Sequence, residues 1–390
     1  MNIDSRITAI HSEIAAIRRD IHANPEPGFE ETRTADLVAA RLEQFGIDVH
    51  RGLGKTGVVG TLKVGTSERS VGLRADMDCL IMDELNTFDH KSTIDGCMHA
   101  CGHDGHTAML LGAAQHLAET RSFDGTIHFI FQPAEEGLGG GRVMVEDGLF
   151  DLFPVDGVYG MHNMPGYPTG QFAIVPGPMM ASSDSFYLTI QGVGGHGAWP
   201  HQAVDPVLVA GEIIVALQSI VSRTIDPLEA VVVGVSQVHA GSANNVIPDE
   251  VKMSGTVRTF SPAVQDHVET RMQRLIDGIC QAHGAKADFF FERRYPPTVN
   301  HKAEAEIAAT VAAALVGENN VVSTGLPQLG GEDFSFMLLK RPGAYIMIGN
   351  GDGDGGCMVH NPHYDFNDEI IPLGIAYWVK LAEKILPLIS

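Results

Sequence analysis

Apolar residues recur at helical spacing over Ser12–Asp20 and Thr32–Phe45, and Gly46 follows the second stretch as a stop. Apolar runs then appear at Ser70–Ala75, Thr126–Phe131 and Val155–Met161, with a helical pattern over Thr107–Glu119 between the first two. Another run, Ala344–Gly349, lies far downstream, before a helical pattern at Leu373–Leu386. Short apolar runs alternating with helices predict a layered α/β domain built on a parallel or mixed sheet.

Between Ser183 and Arg294 the pattern changes. Ser185–Gln191 reads as a strand, Val204–Ser222 as a helix, and Glu229–His239 and Glu250–Phe260 as two strands. Pro262–His283 reads as a second helix and Lys286–Glu292 as a last strand. The order βαββαβ is the ferredoxin-like plan. A chain of 390 residues exceeds the usual size of one compact domain. The division expected is an α/β domain of residues 1–183 and 295–390, interrupted by an inserted domain of residues 184–294. The glycine cluster Gly351–Gly356 lacks the Lys-Ser/Thr ending of a phosphate loop and reads as a flexible turn. Gly192-Val193-Gly194-Gly195-His196-Gly197 fails the dinucleotide spacing.

Composition narrows the partners. Hydrophobic residues at 44% and charged residues at 19% are enough for buried cores and argue against disorder. Acidic residues outnumber basic ones, 48 to 26, for a formal charge of −22. That charge repels phosphate backbones and anionic lipids, so neither nucleic acid nor a membrane surface is an expected partner. Met1–Ala23 is interrupted by charged residues such as Arg18, Arg19 and Asp20 and carries no secretory pattern. No run approaches the length of a membrane span. Five cysteines, Cys79, Cys97, Cys101, Cys280 and Cys357, do not form a disulfide framework. A cytoplasmic protein with reduced cysteines is expected.

The candidate chemistry follows the strands. Asp76 and Asp78 come after the first apolar run, Glu135 and Glu136 after the second, and His162 after the third; His360 follows the last run and its glycine loop. Open α/β sheets bind ligands beyond the carboxyl ends of their strands, so these side chains can share one crevice. Met98-His99-Ala100-Cys101-Gly102-His103-Asp104-Gly105-His106 leads into the Thr107 helix. Cysteine, histidine and carboxylate together suit zinc, with manganese, cobalt or nickel as alternatives. A lone histidine here would only cap the helix or solvate the loop; Cys-x-His beside two further histidines and a Glu pair favours ligation. Of that pair, one carboxylate can ligate metal while the other takes a proton from water.

With these residues in view, the chain resembles the amidohydrolase branch of the dinuclear metal aminoacylase/carboxypeptidase superfamily. That branch includes hippurate hydrolases, N-acyl-amino-acid amidohydrolases and plant auxin–amino acid conjugate hydrolases. The resemblance runs nearly end to end through ordered blocks. Leu73–Asp78, His99–His106 and Phe131–Gly137 come first; Gly194–His201, Asn245–Pro248, Gly255–Arg258, Gly330–Phe334 and His360–Pro362 follow.

The resemblance implies two metal ions held by Cys101, His103, Glu136, His162 and His360, with Cys101 bridging and Glu135 as general base. It implies Asp78 as the aspartate that orients a ligand, and a metal-binding catalytic domain with an inserted lid and dimerisation domain. His196 would reach the partner subunit's site and polarise the scissile carbonyl, while Asn245 and Arg258 would hold substrate, Arg258 through its planar fork. The activity implied is hydrolysis of N-acyl amino acids, or of other amino acid conjugates, to a carboxylic acid and a free amino acid, in a homodimer or a dimer-based homo-oligomer. A dipeptidase or carboxypeptidase with the same metals is the alternative enzyme, and a metal-dependent dimeric binding protein the non-enzymatic one. One departure stands out: the family writes Ala-Leu-Pro after the second aspartate, and this chain has Cys79-Leu80-Ile81, without proline's fixed backbone angle.

Overall fold

The computed structural model describes residues 3–325, 327–352 and 357–388, and the chain separates into two compact units. One comprises Met1–Gly177, Val299–Leu326 and Asp333–Ser390; the other comprises Pro178–Thr298 and Pro327–Glu332. The insertion therefore begins earlier and ends later than the expected residues 184 and 294, and takes in a short return segment. Local hydrogen bonds explain the difference. Ser182 N–H donates to Thr259 O at 2.7 Å, and Ala181 N–H donates to Gln328 O at 3.0 Å.

The first unit opens with α1 (Ser5–Ala23) and α2 (Thr32–Gln44), the latter ending where Gly46 takes a positive φ of 73°. Its sheet contains β1 (Asp48–Leu53), β2 (Gly57–Val64), β3 (Ser70–Asp76), β4 (Gly125–Gln132) and β5 (Gly157–Pro165). The remaining strands are β6 (Phe172–Ala173), β7 (Val321–Val322) and β8 (Gly343–Gly351). Spatial order is β1-β2-β4-β3-β5-β8-β6-β7. The four neighbours β4, β3, β5 and β8 are mutually parallel, whereas β1 and β2 are antiparallel additions at the edge. Four carboxyl ends thus emerge along one edge, the arrangement that builds ligand sites in α/β sheets. Between β3 and β4 runs α3 (His103–Thr120), with 14 of its 18 residues buried. With α4 (Lys302–Val316) and α5 (Ile371–Ile385) it encloses a core that includes Leu110, Phe129, Ile346 and Trp378.

Two local expectations are corrected, and a third falls outside the described residues. Helix α3 begins at His103 and not at Thr107, so His103 stands in its first turn and not in a loop. Gly102 makes this start feasible: its φ is 89°, and a Cβ there would lie 2.2 Å from Asn163 Nδ2. The third apolar run extends to Pro165, placing His162 inside β5. Residues 353–356 of the glycine cluster lie outside the described residues.

The second unit carries strands Ser183–Gln191, Val232–Ala240, Glu250–Arg258 and Lys286–Tyr295, with helices Pro206–Thr224 and Pro262–His283. Its four-stranded sheet is antiparallel, with Glu250–Arg258 and Ser183–Gln191 at the centre. The expected βαββαβ order is present. Helix Pro206–Thr224, 19 residues with a mean hydropathy of 1.5, is long and apolar enough to cross a membrane by composition alone, which corrects the expectation that no run approaches that length. Val209, Ala210, Ile213, Leu217 and Ile220 bury one face of it in this unit's own core, while Val207, Leu208 and Val215 stay exposed.

Candidate metal centre

Beyond the carboxyl ends of β3, β4, β5 and β8, the first unit gathers thiol, imidazole and carboxylate groups. The donor atoms of Cys101, His103 and His162 lie within 4.8 Å of one another, as do those of Cys101, Glu136 and His360, and those of His103, Glu135 and Glu136. All five ligands expected from the sequence, together with Glu135, therefore fall in one cluster.

Hydrogen bonds assign the faces of these side chains. His103 Nδ1 lies 2.9 Å from the Asp78 carbonyl and 3.2 Å from its Oδ1, so in the neutral ring Nδ1–H donates and Nε2 keeps its lone pair. His162 Nδ1–H donates to Asn163 O at 2.5 Å, leaving Nε2 toward Cys101 Sγ at 3.3 Å. His106 is spoken for on both sides: Nδ1 meets Asp76 Oδ1 at 2.6 Å, and Nε2 accepts from Asn163 N–H at 2.9 Å. His106 therefore orders the floor of the site and offers no lone pair to it. Asp78 has a second task, accepting from Glu136 N–H at 2.9 Å through Oδ2. One aspartate thus orients both His103 and the Glu136 turn, as a ligand-orienting group should.

The electrostatics favour a cation. Burial opposes charge on His103, yet Asp76, Asp78 and Glu136 push it up to about 10. Burial, Glu136 and Glu135 raise the Cys101 thiol well above its ordinary value, and burial and His106 hold His162 well below its own. His103 Nε2 and Glu136 Oε1 are both buried without a hydrogen-bond partner. Two unpartnered lone-pair atoms in a negative pocket fit a divalent cation, which supplies the missing partner and favours the thiolate. His360 Nε2 lies 3.4 Å from Glu136 Oε1 on the open side, its side chain 53% exposed; its backbone N–H is tied to Ala100 O at 2.7 Å.

Several supporting residues had no assigned role in the sequence. Glu31 is fully buried and accepts from Ala134 N–H at 2.8 Å and Thr56 Oγ1 at 2.6 Å. It pins the turn where Ala134 takes a positive φ of 54°, and burial with nearby Asp78 lifts its carboxyl to about 7. Asp333 accepts from Arg74, Gln132 and Gly141 N–H at 3.1, 2.7 and 2.7 Å, while its own N–H donates to Glu135 Oε1 at 3.4 Å. The chain passes tightly here, since a Cβ on Gly140 would stand 1.7 Å from Pro133 O. Asp104, next to His103, is buried against Arg18 at 3.1 Å and His22 at 2.8 Å. Despite burial, Asp104 raises His22 to about 9, so a charged group from α1 anchors the start of α3. The Glu31 and Asp333 contacts are legible only in three dimensions; His22 and Arg18 carried the sequence signal of polar groups on an otherwise apolar helix face.

His196, Asn245 and Arg258 belong to the second unit. His196 pairs opposite Val246, and Gly197 N–H donates to Asn245 O at 2.8 Å, so His196 and Asn245 are neighbours. His196 Nδ1 accepts from Ala198 N–H at 3.0 Å, which leaves the neutral ring's proton on Nε2, aimed away from its own turn. Arg258 belongs to the four-stranded sheet and stands beside the Val257–Asp184 pair, its Nη1 donating to Val257 O at 3.1 Å, whereas the His196–Val246 pair forms a separate two-stranded sheet. Within strand Glu250–Arg258 seven residue steps separate Val257 from Glu250, about 23 Å at strand spacing. Arg258 therefore stands at the end of its strand remote from the turn that leads back to Asn245 and His196.

Fold and cluster together define a hydrolase acting on amide bonds. The chain belongs to peptidase family M20/M25/M40, whose sequence model matches residues 72–384. It is 42% identical to hippurate hydrolase of Campylobacter jejuni over 386 residues, covering 99% of this chain and 100% of that one. It is 40% identical to thermostable carboxypeptidase 2 of Saccharolobus solfataricus over 385 residues, covering 97% and 96%. A crystal structure of a dinuclear metal binding peptidase of the M20 family from Bacillus subtilis superposes with a TM-score of 0.86 at 34% identity, covering 98% of this chain and 99% of that one.

Proposed function

We propose that the protein is a dinuclear metal amidohydrolase that cleaves N-acyl amino acids to a carboxylic acid and a free amino acid. The observation that carries this reading is the pair of orphaned buried atoms, His103 Nε2 and Glu136 Oε1, inside a cluster rich in ligand groups. Cys101, His103, Glu136, His162 and His360 would hold two divalent cations, zinc, manganese, cobalt or nickel. The cations, when bound, supply Lewis acidity that lowers the pKa of water at the site and draws charge from the amide carbonyl.

Glu135 is the general base. Its buried carboxylate, close to His103 and Glu136, takes the proton of the attacking water and returns it to the leaving nitrogen. His196 donates through Nε2–H to the carbonyl oxygen as charge develops there. Asn245 holds substrate beside it, and the Arg258 guanidinium takes the free carboxylate of the leaving amino acid. Because Arg258 ends strand Glu250–Arg258 while the His196–Asn245 pair lies before its start, we place His196 and Asn245 in the site of a partner subunit. A homodimer provides this by exchanging identical surfaces about a twofold axis. The inserted unit offers suitable apolar surface: Val232 and Val238 on its edge strand Val232–Ala240, and Val207, Leu208 and Val215 on its first helix, are exposed. The cysteines are all free, and a thiol among the ligands suits a reducing compartment such as the cytoplasm.

The likeness to a carboxypeptidase keeps one competing substrate class in play. A panel of N-benzoyl and N-acetyl amino acids beside free dipeptides, run with metal-reconstituted protein and direct detection of released amino acid, separates the two. Release from the N-acyl compounds with little from dipeptides is expected. Release from dipeptides alone contradicts the proposal, and no release from any compound points to a binding protein.

A further inference from the structure

The chain has two tryptophans. Trp378 is in the core at 1% exposure; Trp199 lies on the surface of the second unit at 56%. Trp199 is the third residue after His196 and is held against it. The two ring centroids are 4.8 Å apart at an interplanar angle of 34°, and Trp199 N–H donates to His196 O at 2.8 Å. The loop returns immediately, with Gln202 N–H donating to Trp199 O at 3.1 Å. An indole of this size left in water beside an oriented hydrogen-bond donor is poorly explained by packing within its own chain.

We propose that Trp199 is a specificity-determining residue, its indole forming the wall for the acyl group and favouring an aromatic acyl group over acetyl. The inference rests on the reading of His196 as donor to the scissile carbonyl. An oxygen bonded to His196 Nε2 sits about 3 Å beyond that nitrogen. The neighbouring indole is then within reach of whatever that carbonyl carries.

Charge decides which side of the amide it meets. From Gly192 to Ser222 there is no lysine or arginine, while Asp205 and Glu212 fall within the stretch and Asp249 accepts from Gly194 N–H at 2.8 Å. This stretch offers a free carboxylate no lysine or arginine, so the carboxylate goes to Arg258 and the uncharged acyl group lies against Trp199. Flat aromatic groups stack or meet edge to face with indole and displace water from both surfaces.

The test compares N-benzoylglycine with N-acetylglycine in wild type, Trp199→Ala and Trp199→Phe, each metal-reconstituted, with the dimer checked by sedimentation. The ratio of kcat/KM for benzoyl over acetyl is expected to fall on the order of tenfold or more in Trp199→Ala, and to recover most of the way in Trp199→Phe. A wild type active on both substrates with an unchanged ratio in Trp199→Ala overturns the inference alone. Dissociation of Trp199→Ala into monomers also overturns it, making the indole an interface residue. A wild type that cleaves peptides and neither N-acyl glycine brings down the amidohydrolase reading, and this inference with it.

Discussion

Glu135→Gln is expected to retain its metal and lose most of its turnover. The two carboxylates are adjacent in sequence but differently placed. Glu136 has an orphaned oxygen, faces His360 at 3.4 Å, and its turn is tied to Asp78. Glu135 is buried on the side of Asp333 N–H. An amide at Glu135 preserves shape but cannot take a proton from water, so kcat should fall by about 10²–10⁴-fold, the usual worth of general acid–base catalysis. Glu136→Gln should instead lose metal affinity, because a neutral amide is a poor ligand for a hard or borderline cation. Metal content and kcat measured on the same two preparations check both statements. Stripped metal in Glu135→Gln, with only slowed turnover in Glu136→Gln, would reverse the roles.

Mixing two inactive proteins should restore activity. Glu135→Ala and His196→Ala are each expected to be nearly dead, but in a mixed dimer the lesions fall unevenly if His196 acts across the interface. One site then carries both lesions, while the other has an intact Glu135 and an intact partner histidine. Random exchange puts about half the dimers in this form, each with one working site, so recovery should approach roughly a quarter of wild type. The inserted unit motivates the prediction: in one chain His196 pairs with Val246, before the start of strand Glu250–Arg258, while Arg258 stands at that strand's end. Differential tags establish that mixed dimers have formed. Verified mixed dimers without recovery would assign His196 to its own chain.

The legible part of this protein followed from periodicity and from what sits at strand ends. Pro262–His283 forms over the residues its pattern predicted, because its buried Val268, Met272, Ile276 and Cys280 recur at helical spacing. The parallel strands were readable because burial on both faces leaves apolar residues at successive positions, as in Phe129-Ile130-Phe131. The hairpin β1–β2 was not read, since Asp48–Leu53 is an exposed edge strand with polar residues on most positions. Helix Lys302–Val316 was also passed over, although its alanine content is a strong helical signal. In the site, residue types and order identified the cluster. They did not distinguish His103, with a free Nε2, from His106, held by Asp76 and Asn163, because that difference lies in long-range hydrogen bonds. Glu31 was invisible for the same reason: it reaches Ala134 across 103 positions of sequence.

The most direct test of the account is a metal titration of stripped, reduced protein, following hydrolysis of N-benzoylglycine and bound metal together. Activity is expected to be absent after chelation and to return with zinc, manganese, cobalt or nickel, reaching its plateau near two ions per chain. Full activity at one ion per chain, or activity that survives complete removal of metal, would contradict a dinuclear centre built on Cys101, His103, Glu136, His162 and His360.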